Sequence, residues 1–174
     1  MNADAPGRLA LGAEDSDDLE VISAVAQDAT VRVGDMAYEK RRRRFAMMLN
    51  RFVWEGGARD GAKAAGTPRR HFRVRAGLHF DGVLGVASTG IDPASPGTVL
   101  GLLAITHSGE RDGSGTIELV FAGNAAIRLS VECIDCYLRD LGAPWPTANL
   151  PDHALDAPAT EAARPDGRPA RDED

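Results

Sequence analysis

The chain has 174 residues, of which 43% are hydrophobic, and a formal net charge of −6 at pH 7. This length accommodates one domain with a hydrophobic core and flanking tails. No apolar run approaches about 18 residues and no basic stretch precedes an apolar leader, so the sequence predicts neither a helical membrane span nor a secretory signal, and a cytoplasmic location is expected.

The charge is distributed unevenly along the chain. Residues 1–28 carry seven acids and one base, and the last 25 residues carry seven acids and three bases. Residues 29–149 carry 16 bases and 12 acids, a net charge of +4. The C-terminal segment is also rich in proline and alanine, which is typical of disorder. We therefore predict one globular domain at residues 15–147, between a disordered N-terminus at 1–14 and a disordered acidic tail at 148–174.

An amphipathic helix is predicted to open the domain over residues 17–27. Asp15 or Ser16 supplies its N-cap, acidic residues crowd its first turn, and its apolar residues recur on one face. This helix is expected to pack one face on the strands that follow.

Seven strands are predicted after this helix, from alternating apolar and polar residues bounded by turn residues. The first is expected to be bulged near Gly34, and the fourth to pair back with the third through a turn at Asp81 and Gly82. The last two form a hairpin around Gly123 and Asn124, because both residue types accept positive φ. The predicted bounds are 30–38, 43–54, 72–80, 83–88, 99–107, 117–121 and 127–131.

A second helix is predicted to end the domain, because the apolar period changes after Glu132. Ile134, Leu138 and Leu141 recur at spacings of four and three, and Gly142 follows as a C-terminal stop. The predicted fold class is α+β and mainly antiparallel β: a seven-stranded sandwich or partly open barrel capped by a C-terminal helix, with one N-terminal helix.

This order of elements over residues 30–141 resembles the pleckstrin-homology-like architecture, in which seven strands are closed by a C-terminal helix. Three stretches are also similar in sequence to an uncharacterised bacterial family, domain of unknown function family 2948. They are GDMAYEKRRRRFAMMLNRFVWE at 34–55, RVRAGLHFDGVLGVASTGID at 73–92 and IRLSVECIDCYLRDLGAPWP at 127–146. The family brings no assigned activity, substrate or cofactor, so this resemblance supports the domain boundaries and leaves the function open.

A run of five bases between the first two predicted strands is the strongest chemical signal in the chain. Adjacent cations repel one another and are stabilised by a bound anion, and guanidinium groups suit bidentate contacts to phosphate or carboxylate. Other arginines are expected to enlarge this surface, chiefly two on the solvent face of the third strand. The core of the predicted anion-binding site is Lys40, Arg41, Arg42, Arg43, Arg44, Arg73 and Arg75, with Arg51, Arg69 and Arg70 as further candidates. The pleckstrin-homology resemblance implies basic ligand contacts at the same turn.

Several interpretations of the basic run compete. It is a solvated turn that discourages edge pairing, or it binds an acidic protein surface, RNA or an anionic metabolite. RNA binding usually needs stacking aromatics, which make up only 5% of the chain and fall at core-type strand positions. An anionic protein surface is therefore the expected partner, with RNA as an alternative.

Cys133 and Cys136 form a CxxC motif at the predicted start of the second helix. A helix N-terminus lowers a thiol pKa, which favours a redox function. The alternative, that the two thiols pack as small apolar residues, fits the preceding β-meander better. With no other cysteine in the chain and no grouped histidines, neither a disulfide framework nor a metal site is predicted.

No catalytic residue and no cofactor are predicted, because the chain lacks the hydrolase, dinucleotide and phosphate-loop motifs. The favoured function is a small non-enzymatic binding or adaptor domain whose basic turn holds an anionic partner. One alternative is a small-ligand carrier or enzyme with a pocket between the sheet and the C-terminal helix, around Cys133, Trp145 and Trp54. Another is a structural or RNA-binding subunit. No sequence feature assigns an oligomeric state.

Overall fold

The computed structural model describes residues 8–53 and 71–148. In these ranges the chain forms one α-helix, one 3₁₀ turn and ten strands. The helix is α1 (Ser16–Ala26), and the 3₁₀ turn is Lys40–Arg42. The strands are β1 (Ala10–Ala13), β2 (Thr30–Glu39), β3 (Arg44–Phe52), β4 (His71–Phe80), β5 (Val83–Thr89), β6 (Val99–Gly109), β7 (Gly115–Phe121), β8 (Ala125–Val131), β9 (Cys136–Asp140) and β10 (Trp145–Thr147).

Some predictions fall on residues outside these ranges. They concern the glycine-rich loop at 56–70, Trp54, and the acidic tail beyond residue 148. The segment 1–14, expected to be disordered, contains strand β1 at Ala10–Ala13, so ordered structure begins before residue 15.

The ten strands form one open antiparallel sheet. Its order is β1-β9-β4-β3-β2-β6-β7-β8-β5, and β10 pairs with the end of β4 that β9 leaves uncovered. The predicted seven-stranded sandwich or partly open barrel is therefore wrong. The three strands that the sequence did not indicate, β1, β9 and β10, have only four, five and three residues. Segments this short hold too few alternating residues for a reliable period.

The predicted pairing of β4 with β5 is also wrong. β4 lies between β3 and β9, whereas β5 pairs with β8 at the far edge of the sheet. At the turn between them, the Asp81 backbone N–H donates to the Asp135 carbonyl at 2.9 Å, and the Glu132 N–H donates to the Gly82 carbonyl at 3.1 Å. These bonds direct the chain away from β4 and toward β8.

Helix α1 packs on the inner face of the sheet, as its sequence predicted. The Asp15 side chain accepts a hydrogen bond from the Asp18 N–H at 2.9 Å, and Leu19, Ile22 and Ala26 are buried. The helix contacts β1, β3 and β6. Neighbouring strands lie about 4.8 Å apart, so a flat sheet would place β1 and β6 about 24 Å apart, more than a helix about 10 Å wide can bridge. The sheet therefore curls around α1 and encloses a core filled by side chains.

The predicted C-terminal helix is absent, because residues 136–140 form strand β9 between β1 and β4. Cys136, Leu138 and Asp140 are buried, whereas Tyr137 and Arg139 are exposed, which is the period of a strand. The spacing of four between Ile134 and Leu138 also fits the two-residue period of a strand, whereas Leu141 does not fit it and is 50% exposed. The hydrogen-bonding edges of β1 and β4 decide between the two structures, and the resemblance to the pleckstrin-homology-like architecture loses its closing helix.

Two local predictions are confirmed. The pairing of β2 with β3 shifts register between Val31 and Met36, so β2 is bulged around Gly34. The hairpin of β7 and β8 turns at Gly123 and Asn124, whose φ angles are 78° and 59°.

Candidate functional site

The basic turn, residues 40–44, connects β2 to β3. Lys40–Arg42 form the 3₁₀ turn, Arg43 has a left-handed backbone with φ 50°, and Arg44 begins β3. The Arg43 N–H donates to the Lys40 carbonyl at 3.2 Å, which closes the turn. The prediction that the five bases share one exposed turn is consistent with this placement.

Three of the five bases are paired with carboxylates. Arg42 Nη1 lies 3.3 Å from Glu39 Oε2, and Arg43 Nη1 lies 2.7 Å from Glu132 Oε1. Arg44 forms a bidentate pair with Asp81, with Nε–Oδ1 2.7 Å and Nη2–Oδ2 2.9 Å. The hydrogen bond from Arg44 is the main cause of the lowered pKa of the Asp81 carboxyl group. The arginine pairs therefore neutralise much of the charge that the sequence concentrates here.

Lys40 and Arg41 are exposed like Arg42 and Arg43 but differ from them in their lack of a partner in the described part of the chain. Neither side chain forms a hydrogen bond or an ion pair with another residue of the described ranges. Their positions are set by the turn backbone and by the anchored arginines that follow them. The basic turn thus contains two cations without a carboxylate partner in the described chain and three that pair with carboxylates.

Arg73 and Arg75 do not join the basic turn. They pair with Phe52 and Asn50 of β3, six or more residues from Arg44, which corresponds to about 20 Å along the strand. The Arg73 guanidinium lies 4.0 Å above the Phe52 ring and donates to the Asn50 carbonyl at 2.9 Å. Burial lowers the pKa of Arg73, and this effect outweighs the opposing charge of Asp28. Arg73 is therefore a packed structural residue rather than a free anion ligand.

Arg51 is not part of the basic surface either, because its side chain is only 2% exposed. Its Nε and Nη2 atoms each donate to Asp140 at 2.8 Å, and its Nη1 donates to the Phe52 carbonyl at 3.0 Å. Asp140 Oδ2 also accepts from the Leu9 N–H at 3.0 Å. This buried pair links β3, β9 and the segment before β1, and its function is structural. Arg69 and Arg70 lie outside the described residues.

Arg75 instead lines a groove on the outer face of the sheet. The groove has a volume of about 450 Å³ and runs over β4, β3, β2 and the start of β6. Its lining includes two residues that the sequence analysis missed, Arg32 and Asp35. Arg32 could have been found from the sequence, since it lies on the solvent face of β2, and β2, β3 and β4 were predicted as consecutive antiparallel strands, whereas Asp35 reaches this face only through the register shift in β2.

The two cysteines of the CxxC motif differ in environment. Cys133 is exposed before β9, and Cys136 is buried within it, and both thiols are free. Burial raises the pKa of the Cys136 thiol, the opposite of what a helix N-terminus would do. The predicted pocket around Cys133 and Trp145 required the absent helix, so this alternative is not supported by the fold.

Neither a metal site nor a membrane-spanning helix appears in the described part of the chain. No three histidine, cysteine or acidic residues group closely enough to hold a metal ion there. Among the same residues, no helix is long and apolar enough to cross a lipid bilayer.

Comparison with known proteins identifies the family but no function. Searches of curated proteins and of solved structures each return no significant match, so no solved structure supports the pleckstrin-homology-like resemblance. The family described as "Protein of unknown function (DUF2948)" matches residues 9–153, most of the chain and all of the described sheet. The chain is therefore a member of the DUF2948 family.

Proposed function

We propose that the chain is a small non-enzymatic binding or adaptor domain whose basic turn holds an acidic protein surface. The observation that carries this proposal is the pair Lys40 and Arg41, two exposed cations without an anionic partner among the described residues. Cations in this state attract a complementary surface at long range and lose that attraction as salt screens them.

The anchored arginines give the turn a defined shape. Arg43 and Arg44 are tied to Glu132 and Asp81, which lie outside the turn in sequence. A partner therefore meets a turn that is already ordered, so binding costs less conformational entropy. Arg44 is a positioning residue in this proposal, and Lys40 and Arg41 contact the partner.

The aromatic residues next to the turn in sequence favour a protein over RNA. The flanking aromatic residues are Tyr38 and Phe45. The Tyr38 hydroxyl donates to the Val83 carbonyl at 3.1 Å, and Phe45 is buried. Neither ring is presented for base stacking, on which single-stranded RNA recognition depends.

The proposal is tested by capture from the host lysate with the full-length chain at low and moderate salt, after nuclease treatment. The test variant is Lys40→Ser/Arg41→Ser, and the matched control is Arg111→Ser/Arg139→Ser. The control removes the same charge at exposed positions away from the turn. The expected result is a salt-sensitive, nuclease-resistant protein partner that the test variant loses and the control retains. The wild type and the control should also bind immobilised poly-L-glutamate, and the test variant should not.

Two outcomes contradict the proposal. If both variants capture the same proteins as the wild type, the turn is a solvated connection without a binding function. If nuclease removes the captured material and polyuridylate binds the turn more tightly than poly-L-glutamate, the partner is RNA and the protein-binding proposal is wrong.

A further inference from the structure

The groove on the outer face of the sheet carries a second inference, independent of the basic turn. It lies on the side of the sheet opposite the core, and β3 forms its floor. Its lining includes Arg32, Asp35, Met48, Asn50, Arg75 and Val99. Its volume of about 450 Å³ falls in the range of about 300–1,000 Å³ that is usual for small-molecule sites.

The bulge in β2 brings opposite charges to this one face. In a regular strand, residues three apart point to opposite faces, so Arg32 and Asp35 would be separated. The register of β2 against β3 shifts between Val31 and Met36, and both charged residues line the groove. The backbone around the bulge is held from outside the strand, because the Gly34 N–H donates to the Pro96 carbonyl at 2.9 Å. Bulges often re-aim side chains next to binding sites.

The two arginines of the groove have no structural function visible in the described chain. Neither the Arg32 nor the Arg75 guanidinium group forms a hydrogen bond or ion pair there, not even with Asp35. They lie on β2 and β4, on either side of β3, about 10 Å apart across the strands and about 7 Å apart along them. An extended arginine side chain can span half of the distance between the two backbone positions. Both guanidinium groups can therefore contact one anion held above β3.

The remaining lining restricts the class of ligand. Two guanidinium groups and the Asp35 carboxylate leave a net charge of +1, which complements a single negative charge better than a polyanion. Asp35 and the Asn50 side chain offer acceptors for a ligand N–H or O–H group. Met48 and Val99 are 39% and 55% exposed, so they present apolar surface to the ligand.

We infer that this groove binds a small organic monocarboxylate, whose carboxylate group is held between Arg32 and Arg75. An N–H or O–H group of the ligand donates to Asp35 or Asn50, and an apolar part lies on Met48 and Val99. Guanidinium and carboxylate groups are matched for bidentate hydrogen bonding. No covalent step is part of this inference.

The inference is tested by NMR titration of the ¹⁵N-labelled full-length chain. The probes are N-acetyl-leucine, which carries a carboxylate, an amide N–H and an apolar side chain, and propionate, which carries only the carboxylate and a short chain. N-acetyl-leucinamide lacks the carboxylate, and sodium chloride controls for ionic strength. The expected result is saturable shifts of the groove amides of β2, β3 and β4 with N-acetyl-leucine, weaker shifts with propionate, and none with the two controls.

Two variants and one control locate the binding. Arg75→Gln and Arg32→Gln should each weaken N-acetyl-leucine binding about tenfold, since each removes a charge-assisted hydrogen-bonding group. Arg139→Gln removes an exposed arginine from the same face of the sheet outside the groove lining, and binding should be unchanged. Lys40→Ser/Arg41→Ser should also bind normally, which separates this inference from the proposed function.

Three results would overturn the inference. These are unsaturable shifts that sodium chloride reproduces, shifts confined to the amides of residues 40–44, and equal affinities of the wild type and Arg75→Gln. Tighter binding of inorganic phosphate than of either carboxylate would reject the assigned ligand class.

Discussion

Arg44 and Arg51 stand at the two ends of the same strand, β3, and both form bidentate pairs with an aspartate. The Arg44 side chain is 40% exposed and belongs to a run of five bases, whereas Arg51 is 2% exposed and is isolated in sequence. Water screens the first pair, and nothing screens the second. The density of charge in the sequence therefore does not indicate where charge matters most for stability.

The largest expected effect is a difference in thiol reactivity between Cys133, which is exposed, and Cys136, which is buried. Only the exposed Cys133 should react with Ellman's reagent in the native protein, because the thiolate is the reactive form and burial raises the pKa of Cys136. The assay should count one thiol per chain in buffer and two in guanidinium chloride. Cys133→Ser should leave no fast-reacting thiol, and rapid labelling of Cys136 in that variant would contradict its burial in β9.

The largest effect on stability is expected for Asp140→Ala. This substitution removes the carboxylate that accepts two hydrogen bonds from the buried Arg51 guanidinium, which should lower the free energy of unfolding by about 3–5 kcal/mol in urea titrations. Glu118→Ala, which breaks the exposed cross-strand pair with Arg128 at 2.9 Å, is the control and should cost no more than about 1 kcal/mol.

A double substitution separates the effect of charge from that of packing at the buried pair. Arg51→Met/Asp140→Leu should be more stable than Asp140→Ala, because it removes both charges and keeps apolar volume. Equal losses in Asp140→Ala and Glu118→Ala would contradict the larger contribution expected of the buried pair.

A smaller, pH-dependent effect is expected for the pair Arg44 and Asp81. Its coupling, from a double-mutant cycle with Arg44→Gln and Asp81→Asn, should be about 1 kcal/mol or less at pH 7 because the pair is partly exposed. The fold lowers the pKa of Asp81, so this stabilisation is present above the ordinary aspartate pKa of about 3.9 and disappears as pH falls through the lower folded value. Urea titrations at pH 7 and pH 3 measure the change, and a coupling that grows in acid would contradict the assignment.

The smallest effect on stability is expected for Lys40→Ser/Arg41→Ser. Neither side chain has a partner among the described residues, so the free energy of unfolding should change by less than about 0.5 kcal/mol. The same variant should lose the acidic partner, and this combination distinguishes a binding residue from a structural one. A loss of more than 2 kcal/mol, on the scale of a buried group, would place these side chains in the fold instead.

The candidate site was only partly predictable from the sequence. The basic turn lies where the two flanking strand patterns placed it, but the carboxylates that pair with Arg43 and Arg44 come from residues 132 and 81. Such partners are invisible without the sheet order. Arg73 and Arg75 were grouped with the turn because they are cationic and share the solvent face of one predicted strand, yet they lie at the end of β4 far from the turn.

The local elements with a clear apolar period or characteristic turn residues could be predicted from the amino-acid order alone: α1, the bulged β2, the long strands β3, β4 and β6, and the β7–β8 hairpin. Helix caps, alternation over seven or more residues and positive-φ turn residues act within a few residues, so they can be recognised in one dimension. The other features depend on contacts between residues far apart in the chain. Residues 136–140 became a strand because β1 and β4 offer edges with unsatisfied hydrogen-bonding groups, and Arg51 became structural because Asp140 arrives beside it from 89 residues away.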